Sequence, residues 1–292
     1  MNFPVNSFVY ILLPVHNRVH LTRNFISCLK KQTFQNFKLI LIDDGSTDAT
    51  VEMVKSNFND CIVLKGNGNW WWARCLQEGY KWLKGIENTN EKYVLIMNDD
   101  TEFENNFLEK FVEMISKMPE TFLLAPAYSM ENSSLIDQGV YFDFKNFILH
   151  KAETQSQIAF LSTRGLIMHL KDFLDSNGFR YKLLPHYYSD YEFTYRAKKN
   201  GMQLYAAPDI KLFLNQKSTG IRQLMYNNLH GFIRSNFSIR YTGNPIYTVI
   251  FIFLTFPFPW NFKHSIRILY ENIKILFKLF CREIKLKIHK WV

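Results

Sequence analysis

The sequence predicts an α/β protein: a Rossmann-like, mostly parallel sheet with helices on both faces, extended by a C-terminal amphipathic helical tail. Three observations predict it. Short apolar, β-branched runs alternate with segments of helical periodicity through the first half of the chain, the pattern of strand–helix–strand units. Two acidic clusters, Asp43-Asp44 and Asn98-Asp99-Asp100, each follow such a run directly. The end of the chain repeats apolar and basic side chains at helical spacing.

Taken in order, FVYILLPV (8–15) reads as a buried strand. A helix follows over about 19–32, with Leu21, Phe25, Ile26 and Leu29 on one face. Phe37 to Ile42 is a second strand that stops at Asp43-Asp44-Gly45-Ser46. Ser46, Thr47 or Asp48 can then cap a helix over about 48–57. CIVL (61–64) is a third strand, followed by the turn Gly66-Asn67-Gly68-Asn69 and a helix over about 72–86. Tyr93 to Met97 is a strand ending at the second acidic cluster. Beyond it the sequence predicts a helix near 105–117, strand-like runs at 122–127 and 158–168, and an acid-containing helix near 189–200. In parallel sheets ligands gather at the carboxyl ends of the strands, where both acidic clusters fall.

The net charge of +9 is concentrated at one end. From Lys263 onward eight cations face two acids, a net +6 within that stretch. Arg267, Lys274, Lys278, Arg282 and Lys285 share a helical stripe beside the apolar set Ile266, Leu269, Ile273, Leu276, Phe277, Phe280 and Ile284. The preceding PIYTVIFIFLTFPFPW (245–260) is uncharged but too short to span a bilayer comfortably, and Pro257 and Pro259 break it. A basic amphipathic helix beside such a run reads as a membrane-surface segment, and a helix packed on the core with a solvated basic face is the alternative. Nucleic-acid binding is excluded as an explanation of the charge, which lies on an amphipathic helix rather than a basic face with aromatic base platforms.

The four cysteines have no CxxC or metal-ligand spacing, which predicts a reduced, cytoplasmic chain. The N-terminus lacks the basic region of a secretory signal. No Walker loop and no GxGxxG opening a helix is present.

Two carboxylate groups have chemical potential. Asn98-Asp99-Asp100 offers hard oxygen ligands suited to Mg2+ or Mn2+, although aspartates after a strand also serve turns and caps. Asp190, in SDYEFTYRAKKNG, lies at a predicted helix start. There it can act as a general base or simply as a cap, with Glu192 and Arg196 forming an i, i+4 pair.

The ordered set VYILLPVHNR (9–18), LIDDGSTD (41–48), LIMNDDTEF (95–103) and GF…HYYSDYEFTYRAKKNG (178–201) resembles family 2 glycosyltransferases of the glycosyltransferase A fold, in particular the bacterial rhamnosyltransferase-like branch that builds O-antigen or capsule. The resemblance implies a catalytic domain over 1–220, with a nucleotide-sugar-binding half to about 104 and an acceptor-binding half over 105–220. A membrane-associating region over 221–292 follows, on the inner face of the plasma membrane. It implies a nucleotide diphosphate sugar donor, UDP- or dTDP-linked, a saccharide or lipid-linked saccharide acceptor, a divalent cation, and inverting transfer.

By the same resemblance Pro14, Val15, His16, Asn17 and Arg18 line the nucleotide pocket and Asp44 meets the nucleobase edge. Asn69 and Trp72 shape the donor-sugar region. Asn98 stands at the first position of the family's DxD-type site and counts with the donor-binding residues, Asp99 faces the ribose, Asp100 binds the metal, Asn215 stands about where relatives place a metal-binding histidine, and Asp190 takes the acceptor proton. Thr163-Arg164-Gly165 and His186 are weighed as acceptor-side residues. Ser189 stands where many relatives have Glu, and with Asn215 it keeps open a second reading: an inactive, membrane-associated relative that binds a glycan or lipid-linked sugar. The QxxRW sequence of processive synthases is absent, which implies addition of one sugar at a time.

Overall fold

The computed structural model describes residues 3–215 and 228–288. A parallel arrangement dominates its main sheet because each early strand is followed by a crossover helix. The elements run β1 (Phe8–Val15), α1 (Val19–Lys30), β2 (Phe37–Asp43), α2 (Thr50–Asn57), β3 (Ile62–Lys65), α3 (Trp71–Leu83) and β4 (Lys92–Ile96). β1, β2, β3 and β4 pair in parallel, with Val15 level with Asp43 and Asp43 level with Lys65. Their carboxyl ends therefore open on one edge.

Next come β5 (Thr101–Phe103), α4 (Phe107–Ile115), β6 (Thr121–Leu124), β7 (Ala127–Ser129), β8 (Leu135–Asp137), β9 (Val140–Asp143), β10 (Ile148–Lys151), β11 (Leu166–His169), α5 (Leu170–Asp175), α6 (Ser189–Lys199), β12 (Gln203–Ala206) and β13 (Leu212–Leu214). The seven-stranded sheet has the order β12-β6-β11-β4-β1-β2-β3. β11 is antiparallel to β4 and β6, so its amino end, preceded by Thr163-Arg164-Gly165, reaches the same edge as the carboxyl ends of its neighbours. A second sheet, β5-β13-β7-β8, and the β9–β10 hairpin flank it. Of the run 158–168, only the end forms β11. The hairpin and the short strands β5, β7 and β8 have too few residues to show a period-two signal.

Two apolar layers cover the main sheet. One gathers Phe25, Leu29, Leu41, Phe107 and Phe111, and the other Leu12, Ile42, Leu76, Phe173 and Phe193. α3 lies so close to β1 and β2 that a Cβ at Gly79 would meet Ile42 and Leu12 at 3.0 Å. Asp48 accepts Thr50 N at 3.1 Å and Val19 N at 3.1 Å, tying the start of α2 to that of α1.

The C-terminal part contains α7 (Leu229–Asn236), α8 (Pro245–Thr255) and α9 (Trp260–Ile288). Pro257 and Pro259 separate α8 from α9, as the sequence predicts. α8 is buried along one face, where Phe251 and Ile252 lie with Val140, Phe160 and Leu184 in a third cluster, while Ile246 and Phe253 stay exposed. α9 differs. Its apolar residues Phe262, Ile266, Leu269, Ile273, Phe277, Phe280 and Ile284 are all exposed, at steps of three and four that keep them on one stripe. No helix among the described residues is long and apolar enough to cross a membrane. The expected boundary between residues 220 and 221 lies outside the described residues.

The aromatic cluster under α8 yields a prediction. Phe251→Ala leaves a cavity against Tyr188 and Phe160 and should lower stability by about 3–5 kcal/mol in urea unfolding. A loss below about 1 kcal/mol would show that α8 is not part of the core.

Candidate active site

The loops after β1, β2 and β3 are welded by side chain–backbone bonds. Asp44 is buried, and its oxygens accept Gly68 N (2.9 Å), Trp70 N (3.0 and 2.9 Å) and Trp71 N (3.0 Å). These donors lie in the turn leading into α3, where unpaired backbone N–H groups favour an anion. A Cβ at Gly66 would sit 2.7 Å from Asp44 Oδ1, so this turn tolerates only glycine there. The family resemblance assigns Asp44 to the nucleobase edge; in the structure its carboxylate holds this turn, and Asp44 lines a cavity beside it. His16 Nδ1 lies 2.6 Å from the Asp44 carbonyl oxygen. Asn17 has φ 51° and its Oδ1 accepts Thr47 N at 2.7 Å. Asn17 thus links two loops and does not line the cleft, and Asn69, whose N–H meets Asn67 Oδ1 at 3.1 Å, belongs to the turn itself.

Two cavities adjoin along the carboxyl edge. The first, of about 260 Å³, is lined by Pro14, Val15, His16, Arg18, Asp44 and Asp99, with Gly68, Trp71, Trp72, Cys75, Asn98, His186 and Arg240 completing it. The second, of about 350 Å³, contains Asp190, Arg164, Ser162 and Thr242. Trp72, Asn98 and His186 line both, so the two form one trough. Trp72 is fixed in its wall by Nε1–H donating to Thr163 Oγ1 at 3.1 Å.

Arg18 dominates the electrostatics. Its Nη1 lies 3.0 Å from Asp99 Oδ1 and its Nη2 3.0 Å from Asp100 Oδ2. Thr22 Oγ1–H donates to the other Asp99 oxygen at 3.0 Å. Burial pushes the Asp99 carboxyl up to about 6, against the opposing pull of Arg18. Asp100 lines neither cavity; it lies behind Arg18. Leu214 pairs with Thr101, so the next step of that antiparallel register brings Asn215 opposite Asp100. The rest of the segment expected to carry a metal ligand, 216–219, lies outside the described residues. Among the described residues no group of three or more His, Cys, Asp or Glu converges as a cation cage. The oxygens of Asp99 and Asp100 nonetheless fit a hard cation that takes one or two carboxylates plus ligand oxygens, and the guanidinium already bridging them shows that the pair accepts positive charge.

Asp190 opens α6 without capping it. The residue before the helix is Tyr188, in a left-handed conformation (φ 66°), and the carboxylate turns back on the backbone N–H groups of its own start, Tyr191 N reaching Oδ1 at 3.0 Å. Burial pushes Asp190 up to about 6, with Asp137 raising it further and Arg164 pulling it down. Glu192 pairs with Arg196 at 2.8 Å, as its spacing predicts. Four buried atoms lining the second cavity make no hydrogen bond within the described chain: Asn98 Oδ1, Ser162 Oγ, Arg164 Nε and His186 Nδ1. Burial lowers His186 to about 4, so its ring is neutral at physiological pH.

The sequence thus finds most of the cleft and misses part of one wall. Arg240, whose guanidinium lies 5.4 Å above the Trp71 ring, and Thr242 come from the segment read as a tail. Tyr187, Tyr188 and Tyr191 were legible only as aromatics beside the predicted base.

The comparisons agree with this geometry. The chain is 33% identical over 113 residues to an uncharacterized glycosyltransferase of Haemophilus influenzae, covering 38% of this chain and 42% of that one. It is 23% identical over 144 residues to the glycosyltransferase GlyG of Streptococcus pneumoniae, covering 47% and 44%. It therefore spans less than half the length of these relatives in the matched region. Among solved structures, S. aureus TarS 1-349 in complex with UDP superposes with a TM-score of 0.55 at 16% identity, over 91% of this chain and 71% of that one. GalNAc-T7 with UDP, GalNAc and Mn2+ gives 0.59 at 14% identity, over 78% and 47%. These likenesses establish the glycosyltransferase A fold. Residues 10–173, more than half the chain, match the family described as glycosyl transferase family 2, and the chain belongs to that family.

Proposed function

We propose that this family 2 protein is an active glycosyltransferase that moves a single hexosyl or rhamnosyl unit from a UDP- or dTDP-linked donor to an acceptor hydroxyl, with inversion, in the assembly of a bacterial surface polysaccharide such as O-antigen or capsule. The observation that carries the reading is the continuous trough joining the Asp99 side, walled by the loops after β1 and β3, to the half-buried Asp190 carboxyl. The nucleotides bound to the neighbouring folds in TarS and GalNAc-T7 support a nucleotide donor in the first cavity.

The residues have distinct tasks in this scheme. The loops fixed by Asp44 and Asn17 shape the nucleotide cavity, with Val15 and His16 along its wall. Trp72 offers an aromatic wall to the donor sugar. Asn98, Ser162, Arg164 and His186 present unsatisfied buried polar atoms to sugar hydroxyls, which offset the cost of leaving them unpaired. Asp190, with a carboxyl that ionises near 6, is charged at neutral pH yet basic enough to take the proton of the attacking hydroxyl. A divalent cation, Mg2+ or Mn2+, held by Asp100 with Asp99 and Asn215 beside it, supplies neutralisation of the departing diphosphate when bound. The exposed apolar stripe of α9, flanked by Lys263, Arg267, Lys274, Lys278, Arg282 and Lys285, docks on an anionic membrane surface at its cytoplasmic face. α8 joins that surface to the trough, because Phe251 stacks on Tyr188 at 4.7 Å and Tyr188 lines the second cavity. A lipid-linked saccharide is the acceptor this placement favours.

A thermal-shift screen of UDP, dTDP, GDP and CDP with and without Mn2+ tests the donor reading. A rise in Tm confined to UDP or dTDP is expected, and no rise with any of them would return the protein to the inactive-relative reading.

For Asp190, turnover should rise with pH through about 6 as the carboxyl ionises. Asp190→Asn should lower it ~100-fold or more while donor binding persists. Stability has the opposite sign. A carboxyl that ionises near 6 when folded but near 4 when unfolded costs the folded state stability as pH rises from about 4 to 6, and the cost persists above. Asp190→Asn should therefore be more stable than the parent by about 1–3 kcal/mol at pH 8 and by almost nothing at pH 4. A variant equally stable at both pH values would remove the strained carboxyl.

Co-sedimentation with phosphatidylserine vesicles tests docking. Replacing Phe277 and Phe280 by Asp should weaken binding well over ~10-fold, since each buried Phe contributes about 1.5–3 kcal/mol. A dimer in solution that the same pair dissolves would mean that a second copy covers the stripe instead.

A further inference from the structure

The donor cavity is lined by two guanidinium groups, and their surroundings differ. Arg18 bonds Asp99 and Asp100 at 3.0 Å each. Arg240 lines the same cavity yet makes no ion pair among the described residues. The residues outside that description, 1–2, 216–227 and 289–292, include no Asp or Glu that could supply one.

Backbone bonds on either side fix where Arg240 stands. In the turn between α7 and α8 its N–H donates to Ser238 Oγ at 3.2 Å, and its carbonyl oxygen accepts the Tyr187 hydroxyl at 3.4 Å. Asn244 Nδ2 donates to Ser238 O at 3.2 Å, while its Oδ1 accepts Ile246 N–H at 3.0 Å and so caps α8. The turn is thereby tied to a helix that Phe251 and Ile252 anchor in the core. The guanidinium itself lies 5.4 Å from the centre of the Trp71 ring, an electrostatic attraction that steadies an otherwise exposed side chain.

Its place along the trough decides what it meets. Trp71, which supports it, packs on His186 at 5.6 Å, and His186 lines both cavities. Arg240 therefore stands near their junction. In a donor lying along the trough, with its nucleoside among the loops after β1 to β3 and its sugar toward Asp190, the diphosphate falls at that junction. His186 supplies no charge there, because burial, with Arg240 beside it, lowers its ring to about 4. Without Arg240 the lining would set Asp44 and Asp99 against a single guanidinium, and an entering diphosphate would meet like charge.

We propose that Arg240 is the diphosphate-binding arginine of the donor site: carried on the face of Trp71, its planar fork bonds phosphate oxygens and keeps the donor sugar directed toward Asp190. The fork geometry suits two phosphate oxygens at once, as an ammonium does not. The inference rests on the donor reading above, and it adds a binding residue from beyond the family match over residues 10–173.

Ligand-observed NMR titration with Mg2+ present tests it, since that method reaches weak ligands and needs no turnover. Arg240→Gln should bind UDP or dTDP, whichever the parent prefers, at least ~10-fold more weakly, the size of a lost hydrogen bond to a charged group. It should bind the matching nucleoside as the parent does and melt at the same temperature. Arg240→Lys should recover part of the loss, because it keeps the charge without the fork. Unchanged diphosphate affinity in Arg240→Gln overturns the assignment and leaves the donor reading standing. An equal loss for the nucleoside also overturns it, by making Arg240 part of the base wall, and so does a lysine variant with no recovery. Inorganic pyrophosphate separates the two readings. A parent that binds pyrophosphate more tightly than Arg240→Gln does, but neither UDP nor dTDP, keeps the arginine as an anion site and removes the donor reading; a parent that binds none of the three removes both.

Discussion

The cleft depends on one buried carboxylate. Asp44 reaches from the end of β2 into the turn before α3 and satisfies three backbone N–H groups there. Its own N–H donates to Val15 O at 2.9 Å, and its carbonyl oxygen meets His16. Three loops from three parallel strands are thereby fixed to one another through a single residue. A buried carboxylate is costly unless hydrogen-bonded, and here the helix start supplies both donors and a favourable dipole. Trp71 is held at φ 57° in the same turn, a strained conformation that sets its ring against His186 at 5.6 Å. Strain at this point exists because the turn is over-determined from the Asp44 side.

A second constraint is topological. β11 runs against its neighbours, so the loop that precedes it, not the one that follows, meets the carboxyl edge of the parallel strands. That is how Thr163 and Arg164 come to face Asn98 and Trp72 across the trough. α6 then delivers Asp190 from the far side, and the segment after α7 closes the rim with Arg240 and Thr242. The site is therefore composite. Its wall draws on residues before position 220 and on Arg240 and Thr242 after it.

Much of this was legible in the sequence for a physical reason. Strands buried on both faces read as continuous apolar runs, and β1, β2 and β4 do so. The turns after them carry Gly, Asn and Asp because those positions need left-handed backbone or side-chain acceptors, so the loops at the carboxyl edge announced themselves. Asp190 was legible as a carboxylate but not as a strained one: its environment is made by Tyr188, Tyr191 and Asp137, which are brought together by tertiary packing and leave no periodic trace. The partnership of Arg18 with Asp99 and Asp100 spans about eighty positions of sequence and has no local signature. The same holds for Arg240. Residues that act through long-range pairing, rather than through the conformation of their own segment, are those that composition and spacing cannot reveal.

The two perturbed carboxyls, Asp99 and Asp190, stand at opposite ends of the trough and are both raised to about 6 by burial, yet their surroundings differ in kind. Asp99 is held by an arginine and a threonine, so its charge is matched within the chain and it is suited to stay ionised and fixed. Asp190 has only backbone N–H donors from its own helix start and a lining of tyrosines, with Arg164 pulling on it but making no salt bridge to it among the described residues. A charge so weakly compensated gains most from accepting a proton. Burial alone would have made the two carboxyls equivalent; the difference in partners is what suits one to holding charge in place and the other to the proton-accepting role proposed for it. The left-handed Tyr188, clamped by Phe251 of α8, keeps the second carboxyl in this poorly compensated position. In the proposed reaction, proton transfer at Asp190 therefore depends on a helix that the family match over residues 10–173 does not reach.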